Sequence, residues 1–246
     1  MRSASFGSRT AGSLRRRAFF GLLVVAGCAP HRVYGPSSTA GDGPPIAITV
    51  LGDSLALGTG ASDSSRGFTF DVYHSLAITH PRSEITNYAI GGSTAADVLR
   101  LQAGRLRERS ADFVIVCVGG NDVARGIDPE SFARSYDALL AAVRRHAARA
   151  HVIAVGVPDV SISPLFADHA DLIRRLAVED DRAARAAAAK HGAAYVDLFA
   201  ITNGMRDPAT FLSADRFHPS DSGHAMIAGA VLPVFRRALA HRSITH

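Results

Sequence analysis

Lysine is nearly absent from this chain. Lys190 is the only one among 246 residues, which argues against an amine nucleophile or Schiff-base chemistry. Cysteine occurs twice, at Cys28 and Cys117. Cys28 falls where a leader would be cut, so Cys117 remains alone and no disulfide is expected within the mature chain. Cys117 lies inside Phe113-Val114-Ile115-Val116-Cys117-Val118 and reads as a small buried apolar residue. No G-x-x-x-x-G-K occurs, and Gly58-Thr59-Gly60 lacks the glycine three positions on, so neither a phosphate loop nor a dinucleotide fingerprint is present. A G-x-S-x-G elbow is missing too, because Gly52-Asp53-Ser54-Leu55-Ala56 and Gly91-Gly92-Ser93-Thr94-Ala95 each lack the second glycine. The histidines are scattered without metal-ligand spacing, so no metal or other cofactor is expected.

The formal charge of +5 invites a nucleic-acid partner, but its distribution does not. Arg2, Arg9, Arg15, Arg16 and Arg17 precede Cys28 with no acid among them; without these five, 22 basic side chains balance 22 acidic ones. No stripe of charge is left to bind a phosphate backbone. The leader itself is readable. Arg15-Arg16-Arg17, an apolar run from Ala18 to Ala26, and Gly27-Cys28 describe a signal peptide over residues 1–27. The apolar run falls short of a bilayer-spanning helix. Val25-Ala26-Gly27-Cys28 resembles the bacterial lipobox, which implies cleavage before Cys28 and a diacylglycerol on its sulfur; Arg16-Arg17-Ala18-Phe19-Phe20 resembles a twin-arginine export signal. The expectation is an exported, envelope-facing protein, anchored in the membrane through Cys28 or otherwise secreted. An ordinary signal peptide with an incidental cysteine stays open.

Residues 28–45 lack periodicity and are rich in Gly, Pro and Ser, which reads as a flexible tether. Residues 46–246 are long enough for one domain with a sizeable core, expected as a monomer. Within it, apolar strand-like runs alternate with helical patterns. Strands are expected at Ile46–Leu51, Ile85–Ala89, Phe113–Val118, His151–Val157 and Tyr195–Leu198. Helices are expected at Phe68–Thr79, Ala95–Arg107 (from a Ser93/Thr94 cap), Pro129–Arg149, Asp171–His191 and Ser222–Ala240, the last kinked at Pro233. Five strands with helices between them imply a parallel sheet covered on both faces. Ligands then bind beyond the carboxyl ends of the strands, where Ser54, Gly92 and Asn121 follow three of these runs.

Ser54 in Gly52-Asp53-Ser54-Leu55, and Asp215 with His218 in Asp215-Arg216-Phe217-His218, offer a nucleophile, an orienting acid and a base. A serine hydroxyl needs an adjacent base at neutral pH. An imidazole supplies one through one ring nitrogen while a carboxylate fixes the other. Pro219 disfavours a helical conformation at His218 and fits a loop. The N–H of Ser54, the N–H of Gly92 and the amide of Asn121 could receive charge on an attacked carbonyl oxygen. These residues, with Asn87-Tyr88-Ala89-Ile90-Gly91-Gly92-Ser93-Thr94 and Gly119-Gly120-Asn121-Asp122, resemble the four motif blocks of the SGNH/GDSL hydrolase family over about residues 46–240. The resemblance implies a flavodoxin-like three-layer α/β/α sandwich with a central five-stranded parallel sheet. It also implies a serine esterase or lipase acting on acyl esters or thioesters of lipids, glycans or other small acyl carriers. Ser54, Asp215 and His218 are the expected triad, and Ser54, Gly92 and Asn121 the expected oxyanion hole.

Each residue also has a plainer reading. Ser54 could cap a helix, Asn121 could be a turn residue and Asp215 a cap. Ser93 is the rival serine but reads as the cap of the next helix; Asp53 and Asp122 read as structural hydrogen-bonders, and His224 as a solvated or helix-packing histidine. A metal-dependent phosphoesterase built on Asp53, Asp122, Asp215 and His218, and a non-catalytic lipoprotein that binds glycan or lipid, are the competing functions. Val160, Ile162, Leu165 and Phe166 suggest an apolar wall beside the site, and buried packing explains them equally well.

Overall fold

A computed structural model describes residues 31–34, 41 and 43–244. The expected signal peptide, Cys28 and much of the expected tether lie outside the described residues. Five parallel strands form the centre: β2 (Ala47–Gly52), β3 (Glu84–Asn87), β4 (Phe113–Cys117), β5 (His151–Val155) and β6 (Ala194–Val196). Their spatial order is β3-β2-β4-β5-β6, the flavodoxin-like arrangement, whose direction of winding reverses between β2 and β4. A sixth strand, β1 (His31–Tyr34), pairs antiparallel with β3 at the sheet's edge. It falls inside the stretch read from sequence as tether. Four residues joined by main-chain bonds to a neighbour leave no side-chain period to find.

The sheet is apolar on both faces because both are covered. Along β4, Val114 and Val116 belong to one core and Phe113, Ile115 and Cys117 to the other. The first face packs under α2 (Ala95–Leu101), α4 (Pro129–His146) and α5 (Ala170–Lys190); the second lies under α1 (Phe68–Ala77) and α8 (Asp221–Ile244). Helix starts follow their caps. Asp128 accepts from the Ser131 N–H ahead of Pro129, and Thr94 closes a reciprocal box with Asp97. Thr94 alone is the cap of α2, and Ser93 is not. The helical pattern from Ala95 to Arg107 changes at Gln102 into a 3-10 turn, Ala103–Arg107, whereas α8 continues through Pro233. Three short helices escaped the sequence pattern: α3 (Gly120–Ala124), α6 (Leu198–Thr202) and α7 (Pro208–Phe211).

Candidate active site

The nucleophile candidate sits at the end of β2, beside the switch in winding. Gly52 pairs with Cys117 so closely that a Cβ at Gly52 would stand 2.2 Å from the Cys117 carbonyl oxygen. A glycine is needed there. The Asp53 N–H extends the ladder to that carbonyl at 3.2 Å, after which the chain turns sharply. Asp53 Oδ1 accepts from the Leu55 N–H at 2.9 Å and stabilises the turn. Ser54 is 6% exposed and heads no helix; its Oγ faces His218 Nε2 at 2.9 Å.

His218 arrives from the other end of the chain, 164 residues away. Its Nδ1 lies 2.7 Å from Asp215 Oδ2. Asp215 Oδ1 accepts from the Phe217 and His218 N–H groups, each at 2.9 Å, and from the Ser213 hydroxyl at 2.8 Å. Partial burial alone would raise the Asp215 carboxyl, but these bonds and the one from His218 bring it down to about 2. An ionised carboxylate only accepts, so the Nδ1 proton points to Asp215 and the Nε2 lone pair is left facing Ser54. Within this loop Arg216 has φ 61, the one non-glycine residue with positive φ among the described residues. The Ser163 hydroxyl holds its carbonyl at 2.7 Å.

Gly92 and Asn121 lie in the segments that follow β3 and β4. Ile90–Ser93 is a turn closed by the Ser93 N–H on the Ile90 carbonyl at 3.2 Å, with Gly92 at φ 77. Asn121, in the first turn of α3, donates through Nδ2 to Asp53 Oδ2 at 3.2 Å and to the Ser93 carbonyl at 3.1 Å. Asp122 accepts from the Ala95 N–H at 3.0 Å, and Arg125 donates to the Gly92 carbonyl at 2.7 Å. Asp53 and Asp122 are both buried, and burial pushes each up to about 7 against the hydrogen bonds they accept.

Gln102 is a site-supporting residue that the sequence reading missed. It is 1% exposed and grips Gly52 on both sides, Oε1 accepting from the N–H and Nε2 donating to the carbonyl, each at 2.8 Å. The side chain thus replaces a strand partner at the last residue before the turn. Its Nε2 also approaches Ser93 Oγ at 3.4 Å. His224 is fully buried rather than solvated; it bridges the Thr59 carbonyl and the Phe68 N–H, and burial lowers its pKa. Cys117 is a free, buried thiol.

A mostly apolar pocket opens beside Ser54, Asn121 and His218. Ile162 and Phe217 line it where it is partly exposed; Leu198, Phe211 and Ile227 line it where it is buried. Val160 belongs to this wall, but Leu165 does not and is 53% exposed. Phe166 packs edge-on against Phe217. Asp53, Asp122, Asp215 and His218 do not converge: no group of three His, Cys, Asp or Glu able to hold a metal is present among the described residues.

The profile of the GDSL-like Lipase/Acylhydrolase family matches residues 50–226. Among characterised proteins, the chain is 23% identical over 217 residues to Esterase TesA of Pseudomonas aeruginosa, covering 88% of this chain and 98% of that one. It is 28% identical over 209 residues to GDSL-like esterase Rv1075c of Mycobacterium tuberculosis, covering 80% of this chain and 64% of that one. Among solved structures, that of TesA superposes with a TM-score of 0.64 at 24% identity, over 78% of this chain and 99% of that one. An acetyl xylan esterase from Geobacillus stearothermophilus superposes with a TM-score of 0.60 at 21% identity, over 78% and 95%.

Proposed function

The chain belongs to the GDSL-like lipase/acylhydrolase family, and on that premise we propose that it hydrolyses carboxylic esters through an acyl-enzyme on Ser54. The observation that carries this reading is the hydrogen-bonded series Ser54 Oγ, His218 Nε2, His218 Nδ1, Asp215 Oδ2 at 2.9 and 2.7 Å. Ser54 Oγ attacks the ester carbonyl carbon as its proton passes to His218 Nε2. The imidazolium is stabilised by Asp215, which stays ionised. Charge on the carbonyl oxygen is received by the N–H groups of Ser54 and Gly92 and by the Asn121 amide, which releases one of its two present acceptors to do so. Collapse breaks the bond to the alcohol oxygen, which leaves with the proton from His218. Water then gives a proton to His218 as it attacks the acyl-enzyme, and collapse frees the acid while His218 returns that proton to Ser54 Oγ.

The neighbouring cavity favours an aliphatic acyl group over a polar one, because its walls offer apolar side chains and little to bond a sugar. A fluorophosphonate should label the protein once, on Ser54, and a chelator should leave activity intact. Chelator-sensitive activity with no label would favour the metal-dependent alternative. In a series of p-nitrophenyl esters, kcat/KM should climb beyond acetate; a preference for acetate, or for an acetylated polysaccharide, would overturn the assignment of the acyl pocket. The same proposal takes the leader at its sequence value, with export and a lipid on Cys28. Cys28→Ala should then release the protein from the membrane fraction.

A further inference from the structure

His224, fully buried in the first turn of α8, takes no part in the reaction proposed above. Its ring is nevertheless engaged at both nitrogens. The Phe68 N–H can only donate, so Nδ1, 3.4 Å away, presents its lone pair. The Thr59 carbonyl can only accept, so Nε2, at 3.1 Å, carries the proton. Burial lowers the His224 pKa and keeps the ring in the neutral form that this pairing needs. An apolar side chain could fill the same space, but it would fix no main chain.

What the ring holds is the loop between β2 and α1, which starts at Ser54. Thr59 is the link. Its N–H donates to the Ser54 carbonyl at 3.0 Å, and its own carbonyl takes the His224 proton. The same loop touches the base. A Cβ on Gly60, whose φ is 95, would stand 2.7 Å from His218 Cβ and closer still to the Pro219 carbonyl oxygen. Glycine lets the main chain lie against His218 in a conformation other residues resist. Further along, the Ser62 N–H and hydroxyl each reach the Asp221 carboxylate at 2.7 Å. Asp221 opens α8, just after His218. The loop that starts at the nucleophile is therefore pinned, at Thr59 and at Ser62, to the helix that starts beside the base.

We propose that His224 is a positioning residue: through Thr59 it fixes the spacing between Ser54 and His218, and with it the 2.9 Å contact across which the proton passes. The role rests on the ester-hydrolase reading above and adds to it a buried residue that touches no substrate. Proton transfer requires a heavy-atom separation of about 2.6–3.2 Å, so a small drift of the loop takes Ser54 Oγ out of reach of the ring. A hydrogen bond fixes direction as well as distance, which is what such a spacer must do.

The test is steady-state hydrolysis of one activated ester by wild type, Ser54→Ala, His224→Asn, His224→Gln and Gly60→Ala. For proteins that keep Ser54, kcat is expressed per site labelled to completion by a fluorophosphonate, so that only folded enzyme is counted. Asparagine can still accept from the Phe68 N–H but falls short of the Thr59 carbonyl; glutamine reaches it. His224→Asn should lose about 10–100-fold in kcat per site, the range a misplaced catalytic group produces, with KM within about threefold. The rate of fluorophosphonate labelling should fall in parallel. His224→Gln should recover a substantial part of kcat, and Gly60→Ala, which wedges the loop off His218, should lose kcat as His224→Asn does. A merely structural role would reduce Tm and the number of labelled sites while leaving kcat per site within about threefold of wild type, and that result overturns the proposal. So does a loss confined to KM, or a loss in kcat that His224→Gln does not relieve. If neither His224 variant folds, Gly60→Ala decides, because an unchanged kcat per site there would show that the spacing does not depend on this loop, and a loss at constant KM sustains the role. If wild type is inert toward esters or Ser54→Ala remains active, the ester-hydrolase reading fails and takes the role of His224 with it. An active wild type, a dead Ser54→Ala and unaffected His224 variants remove that role only.

Discussion

The two segments that meet at the site are held in opposite ways. The Ser213–His218 loop organises itself: Asp215 Oδ1 collects the Ser213 hydroxyl and two N–H groups no more than three residues away. The Gly52–Ser54 turn depends on distant chain, with Gln102 lying 50 residues from Gly52 and Asn121 lying 68 from Asp53. Their carboxylates differ accordingly. Asp215, half exposed and surrounded by donors, is held near 2, while burial takes Asp53 up to about 7. A local loop can keep its geometry when its surroundings loosen. A turn assembled from remote partners is only as accurate as the core around it.

The comparison is removed altogether by deleting either group proposed to react. Ser54→Ala or His218→Ala should lower kcat by about 10⁴–10⁶-fold with the fold intact; appreciable turnover in either variant ends the assignment. Asp215→Asn breaks only the local loop's acid and should lose about 10²–10⁴-fold in kcat, with an amide oxygen still able to accept the loop N–H groups and hold Tm. Gln102→Leu strikes the remote side. It leaves the Gly52 N–H unpaired in the interior, at about 1–3 kcal/mol, while the Gly52 carbonyl keeps the Ile90 N–H at 3.1 Å, so Tm should fall further than in Ser213→Ala. Equal losses in the two variants would erase the contrast between the segments.

The smallest effect belongs to a buried acid that neither segment uses. Asp180 is fully buried with both carboxyl oxygens unpartnered, and burial, with the charges of Asp122, Glu179 and Asp128, pushes it up to about 8 from an ordinary 3.8. The folded chain therefore retains a proton that the unfolded chain releases, and this group's contribution to stability falls as pH rises from about 4 to about 8. Asp180→Asn, which has no proton to lose, should gain in Tm relative to wild type as pH rises from about 4 to about 8. Coincident pH dependence of the two proteins would show that Asp180 does not carry this penalty.

What the sequence disclosed follows the same division. That Ser54, Asp215 and His218 would meet was legible because the chemistry proposed for them restricts the residue type, and for Asp215 and His218 because three positions suffice to build their loop. The five parallel strands were legible as apolar runs between turn residues. Gln102 was not, since it follows Ala95 and Val98 on the buried face of the helix and nothing in a lone glutamine there announces that its amide bonds Gly52, 50 residues away. The cap of α2 was readable in Thr94-Ala95-Ala96-Asp97, a capping box, yet its neighbour Ser93 is equally suited by type. Helices α6 and α7 span five and four residues, too few for a period to emerge. Arg125 looks like any surface arginine until Gly92 is placed beside it.

The antiparallel pairing of His31–Tyr34 with β3 bears on how the protein can be cut. A truncation starting at Ile46 keeps every residue of the proposed site but strips the cover from Glu84–Asn87. Their main-chain groups would then form an open rim, free to recruit a strand from another molecule. Shortened versions should self-associate more readily than ones that begin upstream of His31, even while their turnover per subunit is unchanged.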